Sequence, residues 1–185
     1  RATYVARSED FYEQALAIHR ALGSRRSEAT ALGNLGSLRM ETGRLESAES
    51  GLREAIAIHR ETGNVRFEGI LQGNLAILLR QTGRADEAER AYGEALALLR
   101  RAGDRVAEER ARCNFATLHR VAGRFAECEA LFEQALSATR QMGDRRTESA
   151  ALEGLAALFA DTGRHDRAEP LLRQVVSFLR HAGDR

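Results

Sequence analysis

The sequence predicts an all-α fold, a solenoid of antiparallel αα-hairpins with about nine helices, and three observations predict it. Glycine recurs with a step of 20, at Gly23, Gly43, Gly63, Gly83, Gly103, Gly123, Gly143, Gly163 and Gly183. The residue after it alternates between two sets, Ser24, Asn64, Asp104, Asp144 and Asp184 against Arg44, Arg84, Arg124 and Arg164, so the true period is 40. Between glycines run about 17 residues with apolar positions at helical spacing and, Pro170 excepted, no proline. A fixed period in this range marks stacked units that bury their apolar faces only against their neighbours.

Residues 1–23 form a leading half repeat, with a helix over about 4–22. Full repeats follow at 24–63, 64–103, 104–143 and 144–183, the whole of 1–185 being a single solenoid domain. The first helix of each repeat (A) is expected over about 25–42, 65–82, 105–122 and 145–162. The second (B) is expected over about 45–62, 85–102, 125–142 and 165–182. In the first B helix, Ala48, Leu52, Ala55, Ile56 and Ile58 make one broad apolar face. Glycine at each end supplies the left-handed residue that closes a helix. Ser24, Asn64, Asp104 and Asp144 are placed to cap the A helices through their side-chain oxygens. Glu28, Glu68, Glu108 and Glu148 then suit the helix dipole, as do Glu9, Glu49, Glu89, Glu129 and Glu169 in the B helices.

Superimposed, the repeats show columns that stay small. Gly36, Ala76, Ala116 and Ala156 share one in helix A, and Ser8, Ala48, Ala88, Cys128 and Ala168 share one in helix B. Tyr12, Leu52, Tyr92, Phe132 and Leu172 lie four positions on, large enough to fill the space that a close crossing leaves. Cys128 is thereby expected to be a core thiol. Pro170 should cost the last B helix one backbone bond and bend it slightly.

Charged residues make up 30% of the chain at a net charge of +1, so acids and bases are interleaved. That argues against a nucleic-acid binder, which carries a basic stripe. All 28 basic residues are arginine, a bias that a GC-rich genome suffices to explain. Cys113 and Cys128 form no C-x-x-C pair and have no histidine at ligand spacing, which points to a reduced, cytoplasmic compartment. Apolar runs are too short to cross a bilayer, so no membrane partner is expected. No nucleophile–base pairing, P-loop, H-E-x-x-H or G-x-G-x-x-G ahead of a helix occurs, so neither an enzyme nor a cofactor or metal is expected. His19, His59, His119, His165 and His181 read as packing or surface residues.

These columns resemble the tetratricopeptide repeat, with its L-G, aromatic and A-x3-F pattern. The first repeat has Leu32, Leu35, Gly36, Arg39 and Ala48-x3-Leu52; the second has Gln72, Leu75, Ala76, Leu79 and Ala88-x3-Tyr92. The third has Arg112, Phe115, Ala116, His119 and Cys128-x3-Phe132; the fourth has Leu152, Leu155, Ala156, Phe159 and Ala168-x3-Leu172. The unit is 40 residues where the common one is 34, and the usual proline after helix B is missing. The longer form is similar to repeats of kinesin light chains, spindle-orientation adaptors and bacterial signalling ATPases, kinases and regulators, whose G-D-x-x-x-E and N-L-G patterns match Asp104 to Glu108 and Asn34-Leu35-Gly36. HEAT and armadillo repeats have similar periods, but their helices are less equal in length and they lack the A-x3-F column.

The resemblance implies a superhelix whose A helices line a concave groove. Position by position, the groove would take Thr30, Gly33, Asn34, Ser37 and Met40, then Ile70, Gly73, Asn74, Ile77 and Arg80. Arg110, Cys113, Asn114, Thr117 and Arg120 follow, then Ala150, Glu153, Gly154, Ala157 and Ala160. Asn34, Asn74 and Asn114 make a ladder of carboxamides, each with a donor and an acceptor for the backbone of an extended peptide, unless each simply bonds a neighbouring helix. Gly154 breaks that ladder. Arg80, Arg110 and Arg120 would suit an acidic segment, or else pair with nearby glutamates.

The expected function is a protein–protein interaction scaffold binding a peptide or partner segment, acidic where these arginines meet it. The alternative is a regulatory or sensor segment of a larger signalling ATPase, kinase or transcriptional regulator. In the last helix, Leu171, Leu172, Val175, Val176, Phe178 and Leu179 make two apolar stripes, of which only one can pack on its own A helix. His181-Ala182-Gly183-Asp184-Arg185 then reads like the turn into a further repeat. From these the chain is expected to be a piece of a longer protein, or to associate with another copy through its C-terminal face.

Overall fold

The computed structural model describes residues 2–183 and shows nine α-helices and no strand among them. They are α1 Ala2–Ala21, α2 Arg25–Glu41, α3 Leu45–Glu61, α4 Val65–Gln81, α5 Ala85–Ala102, α6 Arg105–Val121, α7 Phe125–Met142, α8 Arg145–Asp161 and α9 His165–Gly183. Bounds and alternation agree with the expected A and B helices. The residues group into two compact units, one reaching Asp104 with α1–α5, the other starting at Arg105 with α6–α9. In the first, α3 packs against α2 and α4, and in the second, α7 packs against α6 and α8.

Each turn is one short device repeated. The eight glycines from Gly23 to Gly163 hold φ between 64° and 76°. The N–H of the residue after the glycine reaches back five positions, as in Arg44 to the Arg39 carbonyl at 2.9 Å and Asn64 to His59 at 2.8 Å. The glycine N–H reaches back three, Gly43 to Met40 at 3.1 Å. This closes the orphan carbonyls of a helix end in a Schellman arrangement.

That geometry corrects the expectation of side-chain caps at Ser24 and Asn64. The residue after the glycine already serves the preceding helix, and its ψ lies at 75° for Ser24 and 68° for Asn64, short of the extended region that aims a cap oxygen inward. Neither makes a side-chain cap bond. Asp144, at ψ 84°, accepts from the Thr147 N–H at 3.3 Å. Asp104 receives Arg66 Nε at 2.6 Å.

The small columns close the helix crossings. A Cβ on Gly36 would stand 3.0 Å from Leu52 Cγ and 3.3 Å from the Ala48 carbonyl oxygen, so α2 and α3 meet backbone to side chain there. Ala48, Leu52, Ala88, Tyr92, Cys128 and Phe132 are all buried. Cys128 is the core thiol its column predicts, and burial pushes its pKa up to about 11. In α9, Val175 is buried and Leu171 and Phe178 pack partly against the second unit's core, while Leu172 and Val176 stay 49% and 45% exposed. The Leu179 side chain and the turn expected at Gly183-Asp184 lie outside the described residues.

Candidate functional site

In the first unit the candidate residues lie along one side of α2 and α4. Ser37 Oγ donates to the Gly33 carbonyl at 3.0 Å and accepts from Asn74 Nδ2 at 3.2 Å, so the Asn74 amide ties two successive A helices together. Asn34 is exposed and borders a depression of about 310 Å³ with Tyr12, Ala15 and His19 of α1. Ile77 is half-buried one turn beyond Asn74, and Arg80 follows on the same face.

Arg80 is half-buried, and its Nε is buried with no hydrogen-bond partner. Among the described residues no carboxylate pairs with it. It stands beside Tyr92, whose phenol burial pushes up to about 12 against the opposing charge and hydrogen bond of the Arg80 guanidinium. A desolvated guanidinium without a counter-ion is a place where an anion gains from a charge-assisted hydrogen bond.

The second unit differs. Arg110 is exposed, and Asn114 and Thr117 are half-buried. Thr117 Oγ1 bonds back to the Cys113 carbonyl at 3.0 Å. Arg120 on α6 is paired with Asp161 on α8, so its charge is already met. Two groove positions are not surface at all. Cys113 is buried, and burial pushes its thiol up to about 12. Gly33 is buried because Leu71 of α4 sits where its side chain would be, with Cδ2 at 2.8 Å from a built Cβ. Gly154, which breaks the asparagine series, is a packing residue too: a Cβ there would stand 2.1 Å from Phe132 Cζ, so the ring of α7 occupies the space.

Two ion-pair series went unread in the sequence. Arg44 holds Glu9 with both terminal nitrogens at 2.7 and 2.6 Å, Arg84 holds Glu49 at 2.8 Å, and Arg164 holds Glu129 at 2.8 Å. Each joins the start of one B helix to the B helix 35 positions earlier, which explains why arginine follows every second glycine. The helix dipole is a lesser part of that glutamate column. The second series runs over eight positions: Arg20 to Glu28 at 3.0 Å, Arg60 to Glu68 at 2.8 Å and Arg140 to Glu148 at 3.0 Å, with the three carboxylates buried. The constant offsets of 35 and 8 are the signal that would have found both.

A family model described as Tetratricopeptide repeat matches residues 27–101, 67–141 and 107–181. No curated protein matches the sequence. Among solved structures, BtubC (BKLC) from P. vanneervenii is similar at TM-score 0.82 and 19% identity, over 98% of this chain and 75% of that one. The nearly identical TPR-like repeats of kinesin light chain type from Podosopora anserina are similar at TM-score 0.74 and 20% identity, over 98% and 89%. A signal transduction ATPase with numerous domains and a tetratricopeptide repeat sensor, from Pyrococcus horikoshii, is similar at TM-score 0.72 and 15% identity, over 83% of this chain and 24% of that one. At these identities the likeness shows the fold. No described helix is long and apolar enough to cross a membrane.

Proposed function

Since the chain belongs to the tetratricopeptide repeat family, we propose that it is a protein–protein interaction scaffold without catalytic activity of its own. In this reading an extended peptide lies along the exposed side of α2 and α4. Asn74 Oδ1 and Asn34 bond its backbone, Ile77 receives an apolar side chain, and Arg80 meets a carboxylate. The observation that carries it is the half-buried Arg80, whose Nε is buried without a hydrogen-bond partner. In the second unit Arg110, Asn114 and Thr117 are the corresponding candidates, and Arg120 meets a ligand's acid only by exchanging Asp161 for it. Cys113 and Cys128 suit a reducing cytoplasm.

A labelled decapeptide ending in three glutamates is the probe. Its affinity should fall as salt rises, and Arg80→Ala should weaken it about tenfold, the worth of one charge-assisted bond. Binding that ignores Arg80→Ala and Asn74→Ala, yet is lost with Arg53→Glu on α3, would refute the groove.

A sensor segment of a larger signalling protein is the second reading, favoured by the likeness to the ATPase that carries a tetratricopeptide sensor. A further proposal concerns α9, where Leu172 and Val176 offer a face for a second copy. Light scattering over a concentration series should then show a dimer that Val176→Arg abolishes.

A further inference from the structure

A cleft of about 520 Å³ lies between α1 and α3, with α2 beneath it. Leu16 of α1 and Leu32 and Leu35 of α2 give it an apolar base, and its α3 wall is built of Ser47, Ser50 and Gly51. Gly51 stands inside a helix and holds no left-handed φ, so glycine there costs helix stability relative to alanine. A Cβ at this position would meet only the Leu32 carbonyl oxygen within 4 Å, at 3.7 Å. The backbone asks for no glycine here, and the space beside it is open.

The second unit shows what fills that space. In register, Leu16, Leu32 and Leu35 correspond to Leu136, Leu152 and Leu155, and Gly51 corresponds to Leu171. Leu136, Leu152 and Leu155 belong to the core against which Leu171 packs, partly buried. The first unit keeps the same three leucines and lacks the fourth. The ends of its cleft are charged: Arg39 holds Glu13 at 2.9 Å, and Arg20 holds Glu54 at 2.7 Å. Each arginine also serves a buried or nearly buried carboxylate, Arg39 that of Glu9 and Arg20 that of Glu28. Glu13, Glu54 and Arg20 are about half exposed, at 53%, 46% and 49%, against 22% for Arg39. The charge within reach of a ligand is therefore mainly carboxylate.

We infer that this cleft takes a leucine-sized aliphatic side chain of a partner polypeptide, flanked in that partner by a basic residue. The aliphatic group stands where Leu171 stands in the second unit, and the base meets Glu13 or Glu54. Ala17, Ser47 and Ser50 on the walls are exposed, so the cleft is too open to enclose a small molecule as ligand pockets do. A polypeptide gains from the openness, because the chain on either side of its leucine reaches both ends, about 10 Å apart by the helical rise from Glu13 to Arg20. The surface belongs to α1 and α3, apart from Asn74 and Arg80 on α4, and its test does not depend on the contact proposed there.

The probe is the acetylated and amidated pentapeptide Ala-Lys-Leu-Lys-Ala, titrated into the full chain while the Gly51 and Ser50 amide resonances are followed. A saturable shift is expected. Alanine in place of the peptide's leucine should weaken binding about tenfold, the worth of one buried leucine, and glutamates in place of its lysines should weaken it as well. Gly51→Leu supplies the missing side chain from within, so it should abolish the Ser50 shift. It should also raise the thermal midpoint by more than Gly93→Leu, which makes the same change of helix propensity at an exposed position of α5 with nothing within 4 Å. The inference is overturned if the peptide leaves both resonances unmoved, if Gly51→Leu leaves binding intact, or if the two variants raise the midpoint equally. An acidic peptide that binds as tightly overturns the basic flank, and free leucine amide binding as tightly overturns the polypeptide in favour of a small-molecule site.

Discussion

Gly83 and Gly123 hold φ of 76° and 74°, and a Cβ at either would meet nothing within 4 Å. The cost of replacing them is therefore backbone strain alone. Gly83→Val should destabilise by about 1–2 kcal/mol, and Gly83→Asn by clearly less, in denaturant melts. Gly154 is the opposite case. It needs no left-handed φ, but Phe132 fills its side-chain space, so Gly154→Ala should cost about 1–3 kcal/mol by overpacking. Phe132→Leu, the residue that stands at Leu52, should relieve it, and a double-mutant cycle would show that coupling. His59 tests a different force. It is fully buried, neither ring nitrogen is hydrogen-bonded, and its ring stacks on Phe67 at 5.4 Å. Burial holds its pKa below 6.5, with Glu68 pulling it up and Arg26 pushing it down. The unfolded chain takes this proton first, so stability is full above pH 6.5 and falls as pH drops through the folded value. His59→Leu should flatten the thermal midpoint between pH 6.5 and lower values; an unaltered slope would assign the effect to other groups.

At the scale of the helix, arginine does two jobs that a composition count hides. Arg60 reaches across the turn to Glu68, buried in the first turn of α4. Arg60→Ala should cost about 1 kcal/mol, because a buried carboxylate loses its partner, and Glu68→Gln should recover part of that loss. Arg84 joins α5 to Glu49 of α3 while also holding Glu87. Arg84→Ala should lower the midpoint and show coupling to Glu49→Gln. The exposed Arg173–Glu169 pair within one helix should show almost none, as its two long side chains gain little in water.

For the molecule as a whole, these pairs set the acid limit. A hydrogen bond from Arg44 holds Glu9 below the ordinary 4.5. For Glu28, Glu49 and Glu129 burial works to raise the pKa, and the arginine hydrogen bonds outweigh it. All four are depressed in the fold. Their contribution is present above pH 4.5 and is lost as pH falls below it through the folded values. Helical circular dichroism followed from pH 7 to 3 should therefore hold steady down to about 4.5 and then decline. Glu49→Gln should lessen the decline. A repeat array has only nearest-neighbour contacts, so each such pair acts locally and the losses should add up across distant repeats.

Sequence alone determined the helices, the turns and the family, because each rests on a local rule repeated many times. Glycine every 20 residues has one backbone meaning, and small columns such as Gly36 and Ala48 mark helix crossings wherever they occur. Cys128 was legible for the same reason. The candidate site was legible only in part. Ser37, Asn74 and Arg80 were chosen by register, but that Asn74 spends its amide on Ser37 depends on how two helices stack. That Arg120 has a counter-ion depends on Asp161, 41 positions away. Gly33, Cys113 and Gly154 looked like surface until Leu71 and Phe132 proved to fill the space beside the two glycines. Periodicity fixes which face of a helix a residue takes; what stands opposite that face is decided by packing, and only the tertiary structure holds it.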